Sequence, residues 1–318
     1  MLEPALEVAA KPLSKKVVKS DYSPAQFKID IKSELKQAGL KATDTFKILP
    51  DGWQEMAGSQ AGQYELRSYM AYYFGLELGD HYRLLPKKPV NAMFRSAKNR
   101  DRDTMAPAAN FAHSIAIRVL QSLPQPLSMA NPVLPKATEL REQLLALGKE
   151  RIDLETLIDL CWQTNIPVIY MPSIPAAGKM DAMVIRHGGR YAIVLTKKAT
   201  NDIPSYLLFT LAHEMGHIAC GHLQDENSFL AEEGSLTNLP KNELSQETEA
   251  DQFAHQLLSG KNFNLGHAIS PQLLANQANR IGKNEKLIQD RFLQNIDPDQ
   301  IKLDDWELFT KLKILPPE

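Results

Sequence analysis

The strongest constraint on this chain is a pair of histidines, His213 and His217, placed four residues apart in the apolar stretch of residues 207–217. On a helix, positions i and i+4 share one face, so both imidazoles reach a single point. Zinc accepts imidazole nitrogen at roughly 2.0–2.1 Å and prefers four ligands, so the pair predicts half of a zinc site. Glu214 lies nearly on the same face, where a carboxylate can take a proton from water held by the metal.

A buried helix that carries its histidines by coincidence is the alternative to a metal site. The pattern His-Glu-x-x-His arises by chance in roughly one chain in eighty of this length and composition. A buried helix without a metal would also place Glu214 beside Leu211 and Met215 with no charge to compensate it, which is energetically costly. We therefore predict a metal site with Zn²⁺ as its cofactor and Glu214 as its catalytic residue.

A third protein ligand has to come from further along the chain. One class of zinc protease continues with a glycine three residues after the second histidine and a third histidine three residues later. Here those positions hold Cys220 and Leu223, and His222 is one residue out of register, which excludes that class. A later segment, residues 245–258, has the apolar spacing of a helix with one buried face, and it carries two glutamates.

Glu247 and Glu249 are both candidates for the third ligand, and helix geometry ranks them. Glu247 shares one line with Asp251 and Ala254, toward the core, whereas Glu249 lies about 200° around the helix, toward solvent. Glu247 as ligand also leaves Asp251 one turn further on, where its carboxylate can hold the distal nitrogen of a ligand histidine. We favour Glu247 as the metal ligand and keep Glu249 as the alternative.

The same residues carry a likeness to a known family. The motif at residues 213–217, the Gly221-His222 pair and the later helix resemble the ImmA/IrrE family of metallopeptidases. In the later helix the matching residues are Glu247, Glu249, Ala250, Asp251, Phe253, Ala254, Leu257 and Leu258. The likeness covers roughly residues 152–258, and Leu258-Ser259-Gly260 stands where the family usually has a hydrophobic residue followed by Met-Pro.

The resemblance implies a zinc endopeptidase of the kind found in bacteria, phages and mobile elements, acting on helix-turn-helix repressors. It implies that His213 and His217 are metal ligands, that Glu214 is the catalytic base and that Glu247 is the third ligand. The expected fold is α+β: a zincin-like, gluzincin-type metallopeptidase domain with a small β-sheet packed on helices, preceded by a mainly α-helical N-terminal domain. The expected partner is a protein or peptide substrate, specifically a regulatory DNA-binding protein.

Composition along the chain suggests four segments. Residues 1–24 are polar, rich in lysine and interrupted by proline, which is typical of a disordered tail. Residues 25–123 contain several helical patterns, among them one at residues 64–78, and residues 124–135 hold four prolines, which predicts a linker. The metallopeptidase domain, with further helices at its C-terminal end, is then expected to occupy residues 136–318.

Within this last segment the local patterns predict helices and one hairpin. Helical spacing marks residues 137–147 and 154–164, the second with Asp153 as its predicted N-cap. Two apolar runs flank the Gly188-Gly189 pair, which is a strong hairpin signal. Residues 224–243 have the composition of a long polar loop, either a lid or a disordered segment, and three further helices are predicted at 270–281, 285–295 and 304–312.

The composition as a whole is typical of a globular protein of the cytoplasm. Hydrophobic residues make up 43% of the chain and charged residues 23%. No apolar run approaches the ~20 residues that span a bilayer, and residues 1–19 lack the apolar core of a secretory signal. The two cysteines give no disulfide framework. We therefore expect no membrane partner and a cytoplasmic location.

A DNA-binding transcriptional regulator is the alternative function. Residues 1–100 carry a net charge of +5 and residues 101–318 one of −7, and residues 64–78 resemble the closing helix of phage-repressor-type helix-turn-helix domains. In this interpretation residues 25–123 bind DNA, and the zinc site is structural or sensory. An antitoxin-like interaction module of a two-gene system is a further alternative. The sequence contains no nucleophile-elbow serine and no phosphate-binding glycine loop.

Two further features of the site stay open at the level of sequence. Cys220 is expected to be a small buried residue, with a redox-sensitive neighbour of the metal as the alternative. The donor that stabilises a tetrahedral oxyanion is expected among five side chains, which are His187, Tyr191, Tyr206, His222 and His255.

Overall fold

The fold combines helices and strands throughout the part of the chain that the structure describes. The computed structural model describes residues 23–88, 92–96, 102–124, 134–178, 180–196, 206–233, 241–260 and 283–316. These residues contain eleven α-helices and seven strands. The coarse expectation of a mixed architecture with a small sheet among helices is therefore confirmed.

The helices lie on both sides of the sheet. They are α1 (Pro24–Gln37), α2 (Ala42–Thr45), α3 (Trp53–Met56), α4 (Gln60–Tyr73), α5 (Arg102–Ser122), α6 (Ala137–Ala146), α7 (Leu154–Gln163), α8 (Tyr206–Ala219), α9 (Lys241–Ser259), α10 (Lys283–Asn295) and α11 (Leu303–Lys311). The helix α8 contains the His-Glu-Met-Gly-His motif, and it packs closely against α9. This pair of helices positions the candidate site.

The strands form a two-stranded ribbon and a five-stranded sheet. They are β1 (Leu76–Leu78), β2 (Leu84–Pro86), β3 (Ala92–Ser96), β4 (Val168–Tyr170), β5 (Ala182–His187), β6 (Arg190–Leu195) and β7 (Ser228–Glu233). The ribbon joins β1 and β2, and the larger sheet has the order β3-β7-β5-β6-β4. In it β3 runs parallel to β7 and β4 runs parallel to β6, whereas β5 is antiparallel to both of its neighbours. The larger sheet is therefore mixed.

The five-stranded sheet separates two hydrophobic cores. Successive side chains of a strand point to opposite faces, and the strands here are apolar on both. Val184, Ile193 and Leu230 belong to the core that contains α8 and α9. Val194 and Phe229 belong to the core on the other face, which is built with α1, α4, α5, α10 and α11.

The predicted linker at residues 124–135 does not divide the described residues into two separate cores. The strand β3 comes from the first segment and pairs with β7 from the last, Ala92 lying opposite Phe229. The helix α5 packs across β5 and β6, and its side chain Ile115 shares one core with Val194. Segments 25–123 and 136–318 are therefore packed together through a common sheet, because strands that pair across the sheet come from distant parts of the sequence.

Several local predictions are confirmed. The helices α6 and α7 lie where helical spacing placed them, and the Asp153 carboxylate caps α7 by accepting a hydrogen bond from the Thr156 N–H at 2.9 Å. The strands β5 and β6 form the predicted hairpin. Gly188 and Gly189 at its turn have φ of 58° and 71°, the left-handed conformation that a two-residue turn of this type requires.

The helix predicted for residues 64–78 ends earlier than its apolar spacing suggested. The helix α4 stops at Tyr73, and the last residues of the predicted helix form β1. Gly75 has φ of 64°, and a Cβ there would lie 2.5 Å from the backbone oxygen of Asn110. The chain therefore turns at a glycine that lies directly against α5, and the helix cannot continue.

The prediction of a long polar loop at residues 224–243 is partly wrong. The strand β7 lies within it and occupies an interior position of the sheet, between β3 and β5. Its apolar part is only a few residues long, so it lacks the length that marks a strand in a sequence.

Three predictions fall outside the described residues: the tail up to residue 22, the linker over residues 125–133 and the helix at 270–281. Ser23, at the end of the predicted tail, caps α1 by accepting a hydrogen bond from the Gln26 N–H. None of the helices among the described residues is long and apolar enough to cross a membrane.

Candidate metal centre

The helix α8 is buried nearly all round, as its composition predicts. Its residues from 207 to 218 are buried with the exception of Phe209, and they pack against β5, β6 and α7. Within this apolar setting the residues His213, Glu214 and His217 are 5%, 0% and 0% exposed. Ionisable groups at such depth are stable only when neighbouring groups compensate them.

The helix α9 brings Glu247 to the two histidines. One carboxylate oxygen of Glu247 lies 3.3 Å from His213 Nε2, and the other lies 3.1 Å from His217 Nε2. The two Nε2 atoms are themselves 3.0 Å apart. Glu247 is 2% exposed, so the structure gathers three buried ligand atoms at one point.

Gly216 allows α8 and α9 to approach closely enough for this contact. A Cβ at this position would lie 2.9 Å from both the Cα and the carbonyl oxygen of Ala250 and 3.1 Å from the Cβ of Phe253. Protein interiors are packed too tightly to absorb such overlaps without a backbone shift. The glycine inside the motif therefore sets the distance between the two helices that carry the ligand atoms.

The C-terminal end of α9 is held by α6. The Arg141 guanidinium donates hydrogen bonds of 2.7 and 2.9 Å to the carbonyl oxygens of Leu257 and Leu258. A cation at this end of a helix satisfies its last carbonyls and opposes its dipole. Gly260 follows with φ of 71°, the left-handed conformation typical of the residue just beyond a helix. The position of α9, and with it that of Glu247, is thus fixed at both the glycine contact and the helix end.

Asp251 holds His213 from behind, as helix geometry predicted. Its Oδ1 lies 2.8 Å from His213 Nδ1, one helical turn beyond Glu247. A carboxylate accepts hydrogen bonds, so His213 Nδ1 carries the proton and donates it. The remaining nitrogen, Nε2, is then an acceptor that faces Glu247.

His217 is held by a chain of two further residues. Its Nδ1 lies 2.7 Å from Nδ1 of His222, and His222 Nε2 lies 2.9 Å from a carboxylate oxygen of Glu249. The carboxylate accepts, so His222 is protonated on Nε2 and its Nδ1 accepts a hydrogen bond from His217 Nδ1–H. Glu249, the alternative third ligand, therefore contacts the histidine behind the site rather than the ligand atoms.

The protons assigned in this way leave only acceptors at the centre. His213 Nε2, His217 Nε2 and the Glu247 carboxylate all present lone pairs, and they lie 3.0 to 3.3 Å from one another. Acceptors at such separations repel unless a cation or an added proton lies between them. The hydrogen bonds around the site thus prepare it for a positive charge.

The three groups fit zinc. Two ligands held at about 2.0–2.1 Å from a tetrahedral metal are separated by roughly 3.3 Å, close to the observed separations. Two imidazole nitrogens and one carboxylate make up a frequent ligand set of zinc enzymes, in which the fourth position is left for water or substrate. The distal contacts of Asp251 and His222 match the usual pattern, in which a ligand histidine donates its second N–H to a fixed acceptor.

Cys220, His222 and Glu249 form a second group of potential ligands, with ligand atoms within 4.8 Å of one another. His222 Nε2 already carries the proton that its contact with Glu249 requires, so this nitrogen is not a metal ligand while His217 is one. We therefore interpret the group as the outer part of the hydrogen-bond chain behind His217. Cys220 is exposed rather than buried as expected, because α8 ends beside it and the chain turns at Gly221, where φ is 70°. Loss of water around the sulfur and the charge of Glu249 raise the pKa of the Cys220 thiol.

One side of the centre, around His213, is lined by two rings. The ring of Phe209 lies 6.3 Å from that of His213 and 5.3 Å from that of His255. Burial lowers the pKa of His255, and the nearby charge of Asp251 offsets only part of this change. Phe209 and His255 are both partly exposed, in contrast to the ligand residues, so this is the side from which a second molecule can approach.

The structure narrows the choice of an oxyanion donor. His222 is engaged behind His217, and His187, at the far end of β5, contacts Asn227 at 2.5 Å. Tyr191 lies on β6 with its ring 6.0 Å from the Arg186 guanidinium. Tyr206 begins α8, about two turns before the first ligand. His255 is the candidate whose ring adjoins the Phe209 ring beside His213.

Sequence reasoning missed the roles of Gly216 and His222. A glycine inside a long apolar helix costs about 1 kcal/mol relative to alanine, so its presence alone is a signal of close packing. In the sequence His222 was part of the Gly221-His222 pair and a candidate oxyanion donor, but nothing indicated a contact with His217. Its contact with His217 depends on the turn after α8, which brings the imidazole back toward the helix.

Comparisons with known proteins identified no relative of this chain. No family model matches the chain, and no curated protein and no solved structure matches it. The inference of function therefore rests on the side chains of the site, on their distances and on the protons that these distances assign.

Proposed function

We propose that this protein is a zinc-dependent endopeptidase with a zincin-like site. The observation that carries the proposal is the convergence of His213 Nε2, His217 Nε2 and the Glu247 carboxylate on one buried point. Glu214 adjoins His213 on the same helix, and it is buried completely. A structural zinc site would close all four positions with protein ligands, whereas three ligands next to a glutamate favour catalysis.

Each residue of the site has its own task. Zinc, when bound, would supply a Lewis acid for the scissile carbonyl and for the attacking water. The Glu214 carboxylate accepts a proton from the water as its oxygen bonds to the peptide carbon, and returns the proton to the amine as the carbon–nitrogen bond breaks. Asp251 and His222 keep the imidazoles of His213 and His217 in the tautomer in which Nε2 carries a lone pair for the metal.

We further propose that the substrate is a protein, specifically a regulatory DNA-binding protein. The resemblance to the ImmA/IrrE family supports this class of substrate. The rings of Phe209 and His255 beside His213 give an apolar side chain of the substrate a surface to contact.

One helix, α4, weighs against the alternative of a DNA-binding regulator. The helix α4 covers most of the segment that resembled a helix-turn-helix domain. Its exposed residues are Gln60, Ala61, Tyr64, Glu65, Ser68 and Tyr72. Its arginine, Arg67, is engaged 2.9 Å from Glu34. Contacts to phosphates are made mainly by lysine and arginine, and the exposed face of this helix offers neither.

Zinc content per chain tests the metal site. The purified wild type is expected to hold about one zinc after reconstitution, and Glu247→Ala is expected to lose it, because two imidazoles alone bind weakly. Glu249→Ala removes an equal charge from the same helix and leaves the three ligand atoms in place, so it is expected to hold one zinc at saturation, with weaker affinity because His222 loses its acceptor. Absence of zinc from the reconstituted wild type would refute the proposal. Loss of zinc from Glu249→Ala but not from Glu247→Ala would identify Glu249 as the third ligand.

Peptide hydrolysis tests the catalytic base. A quenched-fluorescence library of mixed decapeptides reports cleavage without knowledge of the natural substrate. Glu214→Gln is expected to keep its zinc and to lose at least a hundredfold in rate, because the amide cannot take the proton of the water. Cleavage by Glu214→Gln at the wild-type rate, with zinc content unchanged, would exclude Glu214 as the base.

A further inference from the structure

A cavity of about 730 Å³ lies on the opposite face of the sheet from the metal centre. It is formed between α4 and α5, and Phe229 of β7 contributes to its wall. Phe229 belongs to the core on the α5 side, whereas its neighbour Leu230 belongs to the core of α8 and α9. The cavity is thus separate from the candidate metal site, and its volume is within the range of small-molecule sites.

Arg118 lines this cavity, and none of the described residues forms an ion pair with its guanidinium. The centre of its guanidinium lies 3.8 Å from the ring centroid of Tyr72, and the guanidinium makes no ion pair and no side-chain hydrogen bond within the described part of the chain. Burial lowers the pKa of Arg118, and the negative charge of Asp305 opposes that shift. Asp305 offsets part of its charge but makes no ion pair with it, so the guanidinium keeps N–H donors for an anion.

The described lining of the cavity contains a second cation and no acid. Lys87 is exposed at the edge of the cavity, and it makes no ion pair with the described residues. Neither aspartate nor glutamate is among the residues that line the cavity. A concave surface lined only by positive charges concentrates their electrostatic field and attracts an anion.

The rest of the cavity lining is suited to the uncharged, apolar part of a ligand. Ile117 and Phe229 give it apolar surface, and the ring of His113 lies 5.0 Å from that of Phe229. Burial, together with the charges of His187 and Lys87, lowers the pKa of His113 to about 4, so His113 is neutral at pH 7. Positive charge is therefore confined to Arg118 and Lys87, next to an apolar wall.

We propose that this cavity is a binding site for an organic anion, in which a carboxylate or phosphate monoester head contacts Arg118 and an apolar body lies against Ile117 and Phe229. The guanidinium offers paired donors to either head group, held in place by its stack on Tyr72. Neither the zinc site nor its chemistry enters this proposal, so the two can fail separately.

Titration calorimetry on the full chain, with four probes, tests the site. Octanoate carries a carboxylate head and octyl phosphate a phosphate head on the same body, whereas octanamide has the body without the charge and inorganic phosphate the charge without the body. One of the two charged amphiphiles is expected to bind at least tenfold more tightly than octanamide and inorganic phosphate, and the better of the two identifies the head group. Equal affinity for octanamide, or no binding of either amphiphile, would overturn the proposal.

Two variants place the binding in this cavity. Arg118→Gln is expected to weaken the preferred probe at least tenfold, and Lys47→Gln, which removes an equal charge from an exposed residue outside the lining, is expected to leave it unchanged. Ile117→Trp fills the cavity without a change in charge and is also expected to weaken binding. It therefore tests the site independently if Arg118→Gln does not fold. Wild-type affinity in both folded cavity variants would show that the probes bind elsewhere and would reject the site.

Discussion

His222 acts on the candidate site through the proton it assigns to His217. It accepts from His217 Nδ1 at 2.7 Å, and its own N–H is directed at Glu249. Loss of such a contact typically lowers metal affinity 10- to 100-fold without removing a ligand. We therefore expect His222→Phe to hold one zinc at saturation and to release it to a chelator at 10- to 100-fold lower chelator concentration. His187→Phe, a histidine at the far end of β5, is the control and should not change zinc affinity.

His113 makes the stability of the protein depend on pH. Its pKa is about 4 in the folded chain, mainly because of burial, against 6.5 when exposed. Between these values the unfolded chain binds the proton and the folded chain does not, so stability is present above about pH 6.5 and falls as the pH drops toward 4. The loss is expected to reach about 3 kcal/mol.

Urea unfolding of the metal-free protein at pH 7 and pH 4.5 measures this dependence. Removal of metal keeps the protonation of its ligands from adding to the change. His113→Gln is expected to lose about 2 kcal/mol less stability than the wild type over this range, because its side chain does not titrate. An equal loss in both proteins would mean that other groups cause the acid sensitivity.

The residues of the candidate site differ in how far the sequence could predict them. His213, Glu214 and His217 lie within one turn of a helix, so their common face follows from spacing alone. Glu247 could be ranked above Glu249 from the apolar face of its own helix, although its meeting with α8 is a tertiary contact. The contact between His222 and His217 depends on the turn after α8, and side-chain geometry across a turn is not contained in a periodic pattern.

At the scale of elements, the crossing of α8 and α9 depends on a single glycine. In an isolated helix Gly→Ala stabilises by about 1 kcal/mol. At Gly216 the added methyl group would meet the backbone of Ala250 at 2.9 Å, so α9 has to move and Glu247 moves with it. Gly216→Ala is therefore expected to lower both the melting temperature and, at least tenfold, the affinity for zinc. A rise in melting temperature with unchanged zinc affinity would contradict this role.

Elements were predictable where their signals are local. The cap at Asp153 and the glycine pair at the β5–β6 turn are defined by neighbours in sequence, and both were found. The strands β3 and β7 were missed because their apolar runs are short and they are paired with each other across more than a hundred residues. A pattern within one segment does not report such a partner, since strand propensity depends on the surrounding sheet.

At the scale of the whole molecule, the sheet joins the first and last segments into one unit. The strand β3 forms one edge beside β7, and α5 covers the face that carries Met183, Ile185 and Val194. The helices α10 and α11 complete the same core through residues such as Phe292 and Phe309. The candidate metal site on the other face therefore depends on residues far outside its own sequence region, because α8 packs on strands whose opposite side is covered by α5.

This arrangement predicts that residues 136–318 do not fold alone. A fragment of residues 136–318 would expose the face with Met183, Ile185, Val194 and Phe229, each side chain being worth about 1.5–3 kcal/mol when buried. Their sum is comparable to the entire stability of a typical domain. The full chain is expected to unfold in one calorimetric transition, and the fragment to be aggregated or unfolded and unable to hold zinc. Two separate transitions in the full chain, with a folded fragment that binds one zinc, would show instead that the linker divides two independent domains.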